Sequence, residues 1–332
     1  MIYSLADDRP DSEQGLRLAI ASLVSFNSIA QIVCHKPWPS SSFDAWAGRY
    51  ANLVLHAHRP DGANSWNCKP HALIPLLEAG ADQVAWIDSD MLVTSNPDIV
   101  FKRYPTNALI VTEEPYFAQY PNAASQAEAW GWKPGNRHTE LINSSVVRAT
   151  AVHLPLLRRW RDALADPRYV HVQTLPFSQR PRHMLSDQDV LFSLLGSYDF
   201  RDIPVIVLKG GIDIIHCGGA LGYSLSMRLS GLGRPLPTFL HAIAGKPWWV
   251  LSDTYRQCHS AWFSFYRGLL QETSPYVREA RKYRDKIGMP MPWLERHTLL
   301  GRALNCAGFG NHALTGMPLT LAAMFLKLIR RK

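Results

Sequence analysis

The chain contains no run of about 20 apolar residues, so no segment is long enough to cross a bilayer as a helix. It has five cysteines, at 34, 68, 217, 258 and 306, and no C-x-x-C. Scattered and odd in number, they argue against a disulfide framework or a zinc site and fit free thiols in a reducing compartment. Zinc-finger spacing, an RNP pattern and a lysine-rich tail are all missing, which argues against nucleic acid as a partner. No internal repeat or low-complexity segment is present. The first residues run straight into Ile2-Tyr3-Ser4-Leu5-Ala6-Asp7 without a basic segment leading into an apolar one. That predicts no signal peptide and a cytoplasmic protein. Acidic residues are the scarcer charge, 27 against 35 Lys and Arg, for a formal net charge of +8. The excess favours anionic partners such as phosphates or an acidic membrane surface.

What is present is a globular composition. Of 332 residues, 47% are hydrophobic and 19% charged, enough for a substantial core. Short apolar runs at 2–6, 29–34, 53–55, 84–87, 108–112, 141–147, 203–208 and 212–215 read as strands. Between them lie helical patterns: one carrying Leu16, Ala19, Ile20, Leu23 and Val24 and capped by Asp11 or Ser12, one over 66–79, one over 149–165 and one over 186–195. Strands alternating with helices predict an α/β fold with a sheet of mainly parallel character. Residues 115–138 read as a long loop with a short helix, and 166–183, with three arginines and three prolines, as irregular. Beyond Trp249 the character changes: 253–285 is helical and rich in Arg and Tyr, and a last apolar helix covers roughly 316–331.

The chemistry-bearing residues centre on Asp88-Ser89-Asp90, which closes the apolar run Val84-Ala85-Trp86-Ile87. Alone, an Asp-x-Asp is usually a solvated turn or a helix cap. Delivered by a buried strand, two carboxylates at i and i+2 share a face and suit Mg²⁺ or Mn²⁺. In open α/β sheets, ligands sit outside the carboxyl ends of strands. Lys69, beside Pro70 at a helix start, either faces a phosphate or sugar hydroxyl or is simply solvated. Asn143, in Asn143-Ser144-Ser145, puts an amide in an apolar strand, to bind a sugar or to bridge backbone groups. Ser186-Asp187-Gln188-Asp189 opens a helix, with Ser186 as its cap and the carboxylates at its positive end. His216 and His241 each follow an apolar run, as packed core residues or as a third metal ligand. Gly245-Lys246-Pro247-Trp248 offers close backbone approach and a cation for a departing diphosphate, or an ordinary turn.

Taken in order, these pieces resemble the metal-dependent nucleotide-sugar glycosyltransferases of the GT-A fold, nearest to glycosyltransferase family 8. The order is a strand ending at Asp7-Asp8, then Trp66-x-x-Lys69-Pro70, then Trp86-Ile87-Asp88-Ser89-Asp90-Met91-Leu92-Val93, then Asn143-Ser144-Ser145-Val146, Asp187-Gln188-Asp189 and His241-Ala242-Ile243-Ala244-Gly245-Lys246-Pro247-Trp248. The resemblance spans roughly residues 1–249. It implies a mixed, mainly parallel, Rossmann-like sheet flanked by helices. A catalytic domain would span 1–250, and a helical C-terminal extension 251–332. By position it makes Asp88 and Asp90 the metal pair, with Asp88 also near the ribose, and His241 the third ligand. Lys246 and Gly245 would hold the diphosphate. Asp187 and Gln188 would line the donor sugar, Gln188 close to the anomeric carbon. Asn143 would touch sugar or acceptor, and Ala6, Asp7 and Asp8 would lie by the uracil and ribose. The family pattern is His-x-x-Gly-x-x-Lys-Pro-Trp, whereas this chain reads His-x-x-x-Gly-Lys-Pro-Trp. That brings His241 one residue closer to Lys246 and keeps His216 open as a substitute ligand.

The resemblance therefore implies transfer of a sugar, with retention, from a UDP-linked donor to a glycan or lipid-linked hydroxyl, using Mn²⁺ or Mg²⁺. Two other readings stay open: a nucleotidyltransferase and a non-catalytic nucleotide-sugar-binding relative. The first would carry a glycine-rich basic loop after the first strand, where this chain has Asp7-Asp8-Arg9-Pro10-Asp11. In the last helix Met317, Leu321, Met324, Phe325 and Leu328 recur at helical spacing, ahead of Lys327, Arg330, Arg331 and Lys332. That helix either docks on the protein's own core or meets anionic lipid as a peripheral membrane contact.

Overall fold

The computed structural model describes all residues except 64–66, 117–120, 220–221, 244, 251–256, 296–297 and 330–332. Trp66, Ala244 and the terminal Arg330, Arg331 and Lys332 of the motifs above therefore lie outside the described residues. The eight expected strands form, with ends shifted by at most two residues, and two further strands, Met91–Val93 and Phe239–His241, join them. They are β1 (Ile2–Ala6), β2 (Gln31–His35), β3 (Leu53–His56), β4 (Val84–Ile87), β5 (Met91–Val93), β6 (Leu109–Glu113), β7 (Ile142–Ala149), β8 (Val205–Leu208), β9 (Ile214–His216) and β10 (Phe239–His241).

The chain packs as two compact units. The first comprises Met1–Pro10, Ile29–Ser89 and Asp98–Leu208. Its seven-stranded sheet has the order β3-β2-β1-β4-β7-β6-β8. β2 is parallel to β1 and β3, β4 to β1, and β8 to β6, while β7 runs antiparallel between β4 and β6. The central strands are buried on both faces, all eight residues in β7 and all four in β4. β4 accordingly reads as an unbroken apolar run, whereas β7 keeps Asn143, Ser144, Ser145 and Arg148 buried among its apolar residues. Helices Cys68–Glu78, Leu154–Leu164 and Asp187–Leu195 bring Leu73, Leu77, Leu157, Trp160, Leu191 and Leu195 into one buried cluster with Trp86, Val111 and Val147. Each such side chain contributes about 1.5–3 kcal/mol by leaving water.

The second unit comprises Asp11–Ser28, Asp90–Pro97 and Lys209–Lys332. Its sheet has three strands in the order β5-β10-β9, with β10 antiparallel to β5 and parallel to β9. Helix Glu13–Phe26 offers Ser22 Oγ to the backbone N–H of Val93 in β5 (3.1 Å). Its buried Arg17 donates to the carbonyl of Ile287 (2.9 Å). Buried Arg228 donates to Thr320 Oγ1 (3.1 Å) and to the carbonyls of Ala313 (3.1 Å) and Thr315 (2.6 Å). Those bonds anchor the start of the last helix, Met317–Ile329.

Several sequence expectations need correction. Residues 166–183 are not irregular throughout, because Pro167–Gln173 is a helix. Asp166 caps it by accepting from the Arg168 N–H (2.8 Å), and Pro167 fills the first turn, where its missing N–H costs nothing. The pattern begun at 149 starts helix only at 151, as a 3-10 turn, because Ala149 still pairs with Val84 in the sheet. Within 253–285 the described part breaks at Ser274-Pro275, where Ser274 caps a new helix, Pro275–Ala280. Ser12 and Ser186 stand at N-cap positions without a side-chain cap bond; the Ser186 hydroxyl donates instead to Asp189 (2.7 Å).

Candidate active site

The first unit gathers its polar side chains at one rim of the sheet. Parallel β1, β4 and β6 end there in Asp7, Asp88 and Glu114, and antiparallel β7 begins there with Asn143, Ser144 and Ser145. The Asp88 N–H donates to the Ser145 carbonyl (2.9 Å), fixing the two strand ends side by side. One carboxylate of the Asp-x-Asp is set by its neighbours in this rim. The Trp86 indole N–H donates to Asp88 Oδ1 (2.6 Å), and Lys69 Nζ lies 3.5 Å from the same oxygen.

Lys69 is not solvated. It is 6% exposed and bonded to Asp187 Oδ2 (3.0 Å) and Ser144 Oγ (2.5 Å), and Ser144 donates to Asp187 in turn (2.9 Å). Burial alone would lower the ammonium pKa, but the Asp187 and Asp88 carboxylates outweigh it and hold it above the ordinary lysine value. Asp187 and Gln188 open helix Asp187–Leu195, whose first turn is pinned by the Trp160 indole N–H on the Asp187 carbonyl (3.0 Å). Gln188 Nε2 donates to Glu114 Oε2 (3.1 Å), and Asn143 Nδ2 donates to the same oxygen (2.8 Å). Asn143 Oδ1 accepts from the Ser145 N–H (2.9 Å), so its amide bridges groups at the strand's start. Glu114 is therefore a hub that sequence reasoning missed. The signal was a carboxylate directly after an apolar strand, the pattern that singled out Asp88.

At the end of β1, Asp7 is buried and held by Arg9 Nε (3.0 Å) and Nη2 (2.6 Å), and by the Ser89 hydroxyl. Burial would raise its pKa; the Arg9 bonds and charge, with Ser89, overcome that and keep the carboxyl below its usual range. Asp8 turns away to Arg59 Nη2 (2.9 Å), and Ala6, half-buried, ends the strand between them and the core.

In the second unit Asp90 is 3% exposed and collects two cationic or imidazole groups. Lys246 Nζ forms an ion pair with its Oδ2, and His241 Nε2 lies 3.4 Å from its Oδ1. His241 and His216 are register partners in β10 and β9, with their Nδ1 atoms 3.1 Å apart. Within this unit Asp90 has His241 as its neighbour, and His216 lies behind His241. Gly245 precedes Lys246, and its carbonyl accepts from Gln271 Nε2 (2.7 Å). One expectation about the acidic pair is corrected. β4 stops at Ile87 and β5 starts at Met91, so Asp88-Ser89-Asp90 is the turn joining strands of the two sheets. The two carboxylates therefore leave a turn rather than alternate positions of one continuous strand. Asp90 and His241 offer ligand atoms within 4.8 Å of one another. A carboxylate with an imidazole combines a hard oxygen with a borderline nitrogen, which suits Mn²⁺ or Mg²⁺.

A mixed, mainly parallel seven-stranded sheet flanked by helices is the GT-A fold. Comparison with solved structures agrees. The galactosyltransferase LgtC, solved with donor and acceptor sugar analogues, superposes with a TM-score of 0.52 at 14% identity, over 88% of this chain and 99% of that one. The apo bifunctional glycosyltransferase WbbM superposes with a TM-score of 0.51 at 13% identity over 75% of this chain. This chain spans 46% of WbbM's length. At these identities the likeness establishes the fold. No family model matches the sequence, and no curated protein sequence does so either.

Proposed function

We propose that the chain is a metal-dependent glycosyltransferase that moves a sugar from a UDP-linked donor to a hydroxyl acceptor, with retention of anomeric configuration. The observation that carries this reading is buried Asp90 with His241 and Lys246 gathered on it, two residues along the chain from Asp88 at the end of β4. Asp88, Asp90 and His241 would hold Mn²⁺ or Mg²⁺, which when bound acts as a Lewis acid on the diphosphate. The chain's own residues do the rest. Lys246 adds positive charge where the leaving group develops negative charge. Gly245 gives that loop its close approach to the phosphates. Asp187 and Gln188 face the donor sugar, oriented by Lys69 and Ser144 on one side and Glu114 on the other. The Gln188 amide, held by Glu114, is placed for the anomeric centre, and Asn143 for a sugar hydroxyl. Asp7, Asp8 and Ala6 border the base and ribose. The functional division is a 1–250 catalytic domain and a 251–332 helical extension.

The acceptor is a glycan or a lipid-linked glycan, reached from a peripheral position on the inner face of a membrane. Support for that position comes from the last helix: Thr320 is bonded to Arg228, while Leu321, Met324 and Phe325 are exposed.

The test is donor hydrolysis over a panel of nucleotide sugars with and without Mn²⁺. The wild type is expected to release free sugar and UDP only with the metal, and Asp88→Asn with Asp90→Asn to abolish the release while keeping the circular dichroism of the native fold. Release of diphosphate from a nucleoside triphosphate and a sugar phosphate would instead favour nucleotidyl transfer. Hydrolysis unaffected by the double substitution would overturn the assignment.

A further inference from the structure

Beside Gly245 and Lys246 stands a cation that no motif pointed to. Arg267 lies on helix Ala261–Glu272 in the second unit. Its guanidinium has five N–H donors. One nitrogen, Nη1, donates to the Gly218 carbonyl at 3.3 Å. Nε is buried and has no acceptor. No described carboxylate forms an ion pair with it. The buried Nε, without an acceptor, carries a desolvation cost that an incoming acceptor would relieve.

The ground around it is bare backbone. A methyl group on Gly245 would sit 2.3 Å from Nη2, and one on Gly219 would lie 3.9 Å from Nη1. Only a glycine at 245 allows the guanidinium to approach so closely, which seats Arg267 against the loop that carries Lys246. One helical turn further on, Gln271 donates to the Gly245 carbonyl (2.7 Å), so the same helix that carries Arg267 also fixes the loop that carries Lys246. Planar guanidinium matches two phosphate oxygens at once, which an ammonium cannot do.

We infer that Arg267 is a second cationic contact to the diphosphate of the donor, acting with Lys246 on the leaving group and contributed by the helical extension. This rests on the function proposed above, whose Asp88, Asp90 and His241 it leaves untouched. It also gives the extension a direct part in donor binding.

The experiment is isothermal titration of UDP, UMP and uridine, each with Mn²⁺, into wild type, Arg267→Gln and Arg267→Lys. Wild type is expected to bind UDP more tightly than UMP. Arg267→Gln is expected to weaken UDP by roughly 10–100-fold, the usual worth of a hydrogen bond to a charged group, while uridine affinity stays within a factor of about two. Arg267→Lys, which keeps charge but not the planar fork, should fall between them. Should the Gln variant unfold, judged by circular dichroism, the Lys variant carries the test. UDP affinity equal to wild type in a folded variant would overturn this assignment alone. A wild type that binds no UDP would overturn the proposed function as well, so the two failures are told apart.

Discussion

Lys69 shows how much of the site depends on single buried charges. Its ammonium sits between Asp187 at 3.0 Å and Asp88 at 3.5 Å, with its side chain 7% exposed. Pairing two such charges recovers the desolvation cost only while both are present. Lys69→Met leaves Asp187 buried without its cation. We expect it to lower unfolding free energy by about 3–5 kcal/mol in urea titrations. Adding Asp187→Asn to the same chain should restore part of that loss, because the uncompensated carboxylate is gone. A cost below about 1 kcal/mol would mean that the pair behaves as a solvated one. Arg267 makes the same point from the other side: it is a cation with donors in excess of its acceptors, and its expected partner is a substrate.

At the scale of elements, the junction between β7 and helix Leu154–Leu164 is built on a neutral imidazole. His153 is fully buried, its Nδ1 accepts from the Thr150 N–H (3.0 Å), and its Nε2 lies 3.1 Å from the Asn107 carbonyl. Burial, with the charge of Arg148, pushes its pKa down to about 4. The folded state thus refuses a proton that the unfolded chain accepts below about 6.5. Stability from this group is complete above pH 6.5 and is lost as the pH falls from there toward 4. His35, also lowered to about 4, titrates in the same window. Melting temperature should be flat above pH 6.5 and decline below it. His153→Asn, which keeps an acceptor for Thr150, should flatten part of that decline. An unchanged slope in the variant would place the acid sensitivity elsewhere.

Such junctions also mark where the sequence stopped being informative. β4 was legible because a strand buried on both faces reads as a continuous apolar run. Asp88 and Asp90 were legible because charges at the end of such a run need a reason. The Asp166-Pro167 helix start was equally encoded, yet the surrounding arginines and prolines masked it. Glu114 carried the same local signal as Asp88, but its partners were not legible. Its partnership with Asn143 and Gln188 exists only through the pairing of β6 with β7, whose register shifts between Ile110 and Thr112, and no local pattern states a register. Arg267 depends on which helix packs on which loop, and Lys69 on three segments far apart in the chain.

At the scale of the whole molecule, net charge and exposed apolar surface bear on where the protein works. No helix among the described residues is long and apolar enough to cross a membrane. The last helix nonetheless exposes Leu321 (47%), Met324 (46%) and Phe325 (64%) in a chain of formal charge +8. Thr320 on the same helix is buried against Arg228, so docking and exposure are divided between its sides. An apolar side followed by Lys327, Arg330, Arg331 and Lys332 in sequence has the composition of a helix that lies at a lipid surface, where anionic headgroups meet the basic residues. The wild type should float with vesicles containing phosphatidylglycerol and remain at the bottom with neutral phosphatidylcholine. High salt should weaken the first result, since screening removes the charge contribution and leaves the apolar one. Leu321→Ser with Met324→Ser and Phe325→Ser should abolish flotation without disturbing the Arg228 anchor, which a truncation would remove. Equal flotation of the triple variant would leave the basic residues alone as the attachment. Equal flotation on both lipids, or none on either, would dismiss the peripheral membrane position and with it the case for a lipid-linked acceptor.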